Sequence, residues 1–189
     1  PGPWPNTILV LGGSQGASLM SKIIPNALSK LTKKTRERLT IFHQARKEDV
    51  ETVVHSYNEI GVKAKVELFF ENVEQIISEA QLIICRAGAN TLTDISTIGR
   101  PAIFIPLGNS KDDHQRINAK IFENHKAAIV VEETKNSTEN LSDSISKILR
   151  SPSKALAMAG NSYAMSKPNS CGKMISQIEK MIGRQIDRN

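Results

Sequence analysis

Two small-residue turns hold the chain's clearest chemical signal. They are Gly12-Gly13-Ser14-Gln15-Gly16-Ala17 and Arg86-Ala87-Gly88-Ala89-Asn90-Thr91. Each leaves an apolar run and opens a helical pattern. Glycines let a backbone approach a ligand closely, and the unpaired N–H groups of a helix start attract anions with the helix dipole behind them. Tight turning alone would also account for the glycines. Neither turn is a dinucleotide G-x-G-x-x-G or a P-loop, because no Gly-Lys-Ser/Thr follows. Other polar segments also leave apolar runs: His43-Gln44, Phe69-Phe70-Glu71-Asn72, and Lys111-Asp112-Asp113-His114-Gln115-Arg116-Ile117-Asn118 beyond Pro106-Leu107-Gly108. Asp94 lies one turn into the helix after the second small-residue turn. Two anion sites on one edge suit a ligand that carries a pyrophosphate.

Each of these side chains also has a plainer reading. His43 can make a strand-end backbone bond, Arg86 can pair with a neighbouring carboxylate, and Asp94 can complement a helix dipole. Asp112-Asp113 can cap a helix, and without a third ligand at suitable spacing they make a poor metal site. His55 and His125 fall on helical stretches and read as solvent-facing. No Ser-His-Asp or Cys-His set stands out, and Cys85, at the end of an apolar run, reads as a buried, unreactive thiol.

The elements that position these residues follow from hydropathy. Strand-like apolar runs occupy 7–11, 39–43, 65–69, 82–85, 102–105 and 128–131, and helical patterns occupy 17–31, 48–60, 73–80, 91–98 and 113–124. Short strands apolar on both faces, alternating with helices, form right-handed βαβ units and a parallel sheet. Ligands of such sheets bind beyond the carboxyl ends of the strands. Three further helices are expected at 140–149, 153–165 and 170–182, the last with an apolar stripe of Met174, Ile175, Ile178, Met181 and Ile182 that reads as core. The basic cluster Lys33-Lys34-Thr35-Arg36-Glu37-Arg38 reads as a solvated helix end.

At 189 residues, with 39% hydrophobic and 23% charged residues, the chain suits one globular α/β domain. No window reaches the ~18 apolar residues of a membrane span. The two cysteines, Cys85 and Cys171, make no disulfide framework and read as reduced thiols of a cytosolic chain. A net charge of +6 suits an anionic partner, but no nucleic-acid motif accompanies the scattered basic residues, and no nucleic acid is expected.

Taken together, 9–17, His43-Gln44, 84–91 and 112–119 resemble the carboxyl-terminal half of the MurG glycosyltransferase family. The resemblance covers residues 7 to about 131, and the helical remainder fits the family's end. It implies half of a GT-B architecture, with residues 1–6 as linker, 7–167 as a Rossmann-like UDP-sugar domain and 168–189 as a terminal helix and tail. The implied activity is inverting transfer of GlcNAc from UDP-GlcNAc to lipid I, giving lipid II for peptidoglycan. The implied place is the inner face of the bacterial plasma membrane, in peripheral contact with anionic lipid. No cofactor and no metal are implied. By the same resemblance Gly13, Ser14, Gln15 and Gly16 meet the pyrophosphate, together with Ala89, Asn90 and Thr91. Phe70 offers its backbone to the uracil, Asp94 binds the ribose, His114 and Gln115 lie at the sugar, and Asn118 is a further substrate-binding residue. Arg86 stands near the leaving group, and the general base is expected from the acceptor half.

The sequence departs from the family at Ala45-Arg46, where a glycine is usual, at Asn72-Val73 in place of Asp-Met, and at Asp94 in place of a glutamate. Two other readings stay open: a nucleotide-sugar-binding subunit that needs a separate acceptor chain, and an epimerase of related architecture. Residues 86–91 and 113–118 speak against the second.

Overall fold

A computed structural model describes residues 6–13, 18–108 and 113–183 of the chain. Its strands are β1 (Asn6–Leu11), β2 (Leu39–Gln44), β3 (Lys63–Glu67), β4 (Leu82–Cys85), β5 (Ala102–Phe104) and β6 (Ala128–Val130). Its helices are α1 (Ser18–Ser29), α2 (Lys33–Arg36), α3 (Val50–Glu59), α4 (Val73–Glu79), α5 (Ala89–Ile98), α6 (His114–Asn124), α7 (Ser137–Leu149), α8 (Pro152–Ala164) and α9 (Ser170–Ile182).

The strands pair in the order β3-β2-β1-β4-β5-β6, and every pair is parallel. Successive strand residues point to opposite faces, and this splits the core in two. Ile8, Val10, Ile41, Leu82 and Ile84 join Met20, Ile24 and Leu28 of α1, Tyr57 of α3 and Ile145 of α7. Leu9, Ile83, Cys85 and Phe104 face the other way, onto Ile77 of α4, Leu92 and Ile95 of α5 and Phe122 of α6. Phe104 and Phe122 meet edge to face at 5.4 Å. Covered on both sides, the central strands need apolar residues at every position, which is why they read as continuous runs. The order reverses between β1 and β4. The helices that follow these two strands leave on opposite faces, so a crevice opens at the carboxyl ends of the pair.

α5 stops at Gly99, whose φ of 73° lies in the left-handed region and whose N–H donates to Ile95 O at 2.8 Å. A Cβ there would sit 2.9 Å from the Tyr163 Cβ of α8. Gly99→Ala is therefore expected to lower stability by about 1–2 kcal/mol from the backbone alone. The contact should add to that loss. Thermal unfolding checks it, and an unchanged midpoint would contradict it.

Three sequence expectations need correction. The third strand runs over Lys63–Glu67 and not 65–69; its ladder ends where Ala45 N–H donates to Glu67 O, leaving Leu68 and Phe69 outside it and exposed. The cluster at 33–38 is largely solvated, as expected, but it is not the end of α1. Thr32 caps a separate α2, and Arg36 donates to the carbonyls of Ser29 (3.0 Å) and Ile60 (2.9 Å) at the ends of α1 and α3. A guanidinium thus satisfies orphan helix-end carbonyls. Finally, the α9 stripe is not core: Met174, Ile178, Met181 and Ile182 are all exposed. Among the described residues neither half of the core takes in a residue of α9, whereas α7 and α8 supply Leu141, Ile145, Ile148 and Ala155, with α8 lying against α5 and α7.

Candidate functional site

The crevice between β1 and β4 opens into a cleft of about 730 Å³. Gly12 and Gly13 enter it from the exit of β1, and Ser18 and Leu19 from the first turn of α1. Arg46 reaches it from the exit of β2. Arg86, Gly88, Ala89, Asn90 and Thr91 come from the exit of β4, Leu107 from the β5–α6 connection, Gln115 from the first turn of α6, and Glu133 from beyond β6.

The wall built by α5 is suited to an anion. Gly88 is the N-cap residue and makes no side-chain cap bond. Helix geometry leaves the N–H groups of Ala89, Asn90 and Thr91 without intrahelical acceptors, and they stand at the positive end of the dipole. Opposite them, Gly13 holds a φ of 80°, with open space where a side chain would be. Ser14, Gln15 and Gly16 lie outside the described residues, as do Lys111 and Asp112.

Arg86 is almost fully buried, at 8% exposure. Its Nη1 donates to Ile105 O at 2.8 Å and to the Glu133 carboxylate. The other Glu133 oxygen accepts from Gly108 N–H at 3.2 Å. One carboxylate therefore ties the exits of β4 and β5 together beneath the cleft. The plainer reading of Arg86, a carboxylate pair, holds, and the residue lines the cleft as well.

The remaining expected residues divide. Gln115 lines the cleft, with its Oε1 accepting from Leu107 N–H at 3.1 Å. Asn118 donates to Ala87 O at 3.2 Å and so anchors α6 to the turn after β4. His114 is exposed at the start of α6, and neither it nor Asn118 lines the cleft. Asp113 sits at the α6 N-cap with a φ of 46°, makes no cap bond, and pairs with Arg116 at 3.5 Å. Phe70 is buried and packs its ring on Phe42 at 5.9 Å, outside the cleft. Asp94 is an exposed residue of α5, one turn beyond the cleft-lining Asn90; partial burial, and then the like charge of Glu74 on α4, raise its carboxyl above the usual range.

His43 does not make the expected backbone bond. It is 1% exposed, and its Nδ1 shares a 2.7 Å hydrogen bond with the hydroxyl of fully buried Tyr57. Its Nε2 has no hydrogen-bond partner among the described residues, and burial lowers the ring's pKa to about 4 against a smaller opposing pull from Asp49. Burial likewise pushes the Tyr57 hydroxyl and the Cys85 thiol well up, so Cys85 is inert. His55 and His125 are exposed, as expected.

Sequence reasoning missed Glu133 and noted Arg46 only as a departure. Glu133 follows β6 with no glycine turn to mark it, and Arg46 lies two residues beyond β2.

The model of the glycosyltransferase family 28 C-terminal domain matches residues 7–174. The UDP-N-acetylglucosamine–N-acetylmuramyl-(pentapeptide) pyrophosphoryl-undecaprenol N-acetylglucosamine transferase of Caulobacter vibrioides is 36% identical over 173 residues, which cover 92% of this chain and 48% of that protein. The crystal structure of Acinetobacter baumannii MurG superposes with a TM-score of 0.84 at 34% identity, over 96% of this chain and 51% of that one. A UDP-GlcNAc 2-epimerase from Neisseria meningitidis shares the fold alone, with a TM-score of 0.64 at 15% identity over 93% of this chain and 44% of that one. The chain spans about half the length of the curated relatives it matches.

Proposed function

Because the chain belongs to the glycosyltransferase family 28 C-terminal domain family, we propose that it is the donor-binding half of an inverting N-acetylglucosaminyltransferase, holding UDP-GlcNAc for transfer to lipid I. The observation that carries this is the cleft at the β1/β4 switch, where the N–H groups opening α5 face the Gly12-Gly13 turn. Such a wall binds a diphosphate without a protein nucleophile.

In an inverting transfer the acceptor hydroxyl attacks the anomeric carbon, and negative charge grows on the departing UDP. Preorganised N–H groups and a helix dipole stabilise that charge as it forms. The Arg86–Glu133 pair holds the cleft wall in place for this. The proton of the acceptor hydroxyl goes to a base in the other half of the relatives' length, which is also where lipid I would bind. Contact with the bilayer that holds lipid I belongs to the same proposal and is peripheral; among the described residues no helix is long and apolar enough to cross a membrane.

Titration calorimetry tests the donor reading. UDP-GlcNAc and UDP should bind this chain, a guanosine diphosphate sugar should bind more weakly, and no lipid II should form without the acceptor half. Absence of UDP binding, or turnover by this chain alone, would overturn it.

Asp94 is proposed as the ribose ligand. It lies on α5 one turn beyond Asn90, and a carboxylate can accept from both ribose hydroxyls. Hydrogen bonds to charged groups are worth about 1.5–3 kcal/mol, so Asp94→Asn should weaken UDP roughly tenfold or more. The loss should vanish with 2′-deoxy-UDP. An unchanged preference for UDP over its deoxy analogue would reduce Asp94 to a helix-dipole residue.

A further inference from the structure

We propose that Asn118 is a positioning residue for the diphosphate wall, one that acts through the carbonyl of Ala87 without touching the ligand. The assignment rests on the donor reading above and goes beyond it, because it gives a side chain outside the cleft a part in binding.

The chain leaves β4 after two last sheet bonds. Arg86 N–H donates to Leu11 O at 3.4 Å, and Ile105 N–H donates to Cys85 O at 2.9 Å. Ala87, fully buried, lies past the end of the strand. A buried carbonyl needs a partner. Asn118 supplies it, its Nδ2 donating to Ala87 O at 3.2 Å. The next residue, Gly88, is the N-cap of α5, with a φ of −72° and a ψ of 144°. It has no side chain to cap the helix, so its backbone aims the first turn. The oxygen that Asn118 holds belongs to the Ala87–Gly88 peptide, the plane from which α5 departs. Tilting that plane swings the N–H groups of Ala89, Asn90 and Thr91, the residues that bring the helix start to the cleft.

Asn118 has a firm base. Its neighbours Ala119 and Phe122 on α6 are buried, and the Phe122 ring meets Phe104 of β5. One turn earlier on the same face of α6, Gln115 holds Leu107 N–H. A helix fixed in the core thus takes a carbonyl from the exit of β4 and an N–H from the exit of β5. An amide is suited to position 118 because the bond needs a donor. A carboxylate of the same shape accepts only, and would set its charge against the carbonyl oxygen.

The test is calorimetry on the full chain with UDP, UDP-GlcNAc and uridine. In Asn118→Ala and Asn118→Asp, UDP and UDP-GlcNAc should both weaken about tenfold, as when one hydrogen bond to a charged group is lost. Uridine should stay within about twofold. Asn118→Gln keeps the amide donor and should recover part of the loss. Hydrogen exchange adds a readout that needs no ligand. The Leu92 amide, which bonds Gly88 O at 3.0 Å, should exchange faster in Asn118→Ala, while the Ile84 amide of β4 keeps its protection. A loss for UDP-GlcNAc with UDP unchanged would place Asn118 on the sugar and overturn the assignment. An equal loss for uridine, or faster exchange at Ile84 as well, would mean a general loosening of the fold and overturn it too. An unchanged affinity for UDP in Asn118→Ala would overturn it while leaving the donor reading intact. A wild-type chain that binds no UDP overturns both.

Discussion

Replacing Arg86 by alanine should lower the stability of the chain by about 3 kcal/mol, near the lower end for a broken buried ion pair. The guanidinium is buried and holds both Ile105 O and the Glu133 carboxylate, while the Glu133 side chain keeps 21% exposure. Without the arginine, a carboxylate stays half-enclosed with only Gly108 N–H to satisfy it. Removing both charges should be milder than the two single losses predict, because neither partner is then stranded. A double-mutant cycle with Glu133→Ala, read by urea unfolding, should give a coupling of about 2 kcal/mol. Single effects that add to within about 0.5 kcal/mol would show the pair to be inert. Ligand affinity should follow an order that stability alone does not impose. Wild type should bind UDP best and the double variant next. Arg86→Ala should bind it worst, because its unpaired Glu133 then faces a diphosphate.

The second large effect is one of pH. His43 has an ordinary pKa near 6.5 when unfolded and about 4 in the fold, lowered chiefly by burial against a weaker pull from Asp49. Between those values the unfolded chain takes up a proton that the folded chain refuses. Stability is therefore complete above pH 6.5 and falls as the pH drops towards 4. At about 1.4 kcal/mol per unit of pKa difference, roughly 3 kcal/mol should be lost across the window. The comparison is with His43→Gln, whose amide can still meet the Tyr57 hydroxyl. Denaturant unfolding of both chains from pH 7 to 4 should show the wild type losing its advantage by that amount. Parallel profiles would mean that His43 stays neutral in both states, or titrates alike in both.

Much of this architecture was legible from the residues. β4 was placed at its observed bounds because Leu-Ile-Ile-Cys is buried at every position. β3 was misplaced because it is an edge strand with exposed lysines, so the apolar Leu68-Phe69 beyond it carried the stronger signal. α2 was hidden because four residues carry no periodicity, although Thr32 is a recognisable cap. α9 shows the limit of periodicity, which reports that a helix has an apolar face but not whether that face is covered. At the cleft, both small-residue turns were legible because glycine and helix starts leave local marks. The Arg86–Glu133 tie was not, because it joins residues 47 positions apart and pairing at that separation leaves no local pattern.

The strand order also bears on how the cleft comes into being. β1, β2 and β3, with α1 and α3, can zip together from neighbours close in sequence. Pairing β1 with β4, Ile8 beside Leu82, must instead close a long loop of chain before any contact rewards it. Non-local pairing of this kind slows folding. The two turns proposed to hold the diphosphate follow β1 and β4, so the proposed site appears only when this late seam closes. A donor that binds there should act as a clasp on the seam, slowing its reopening and leaving the initial collapse at its own pace.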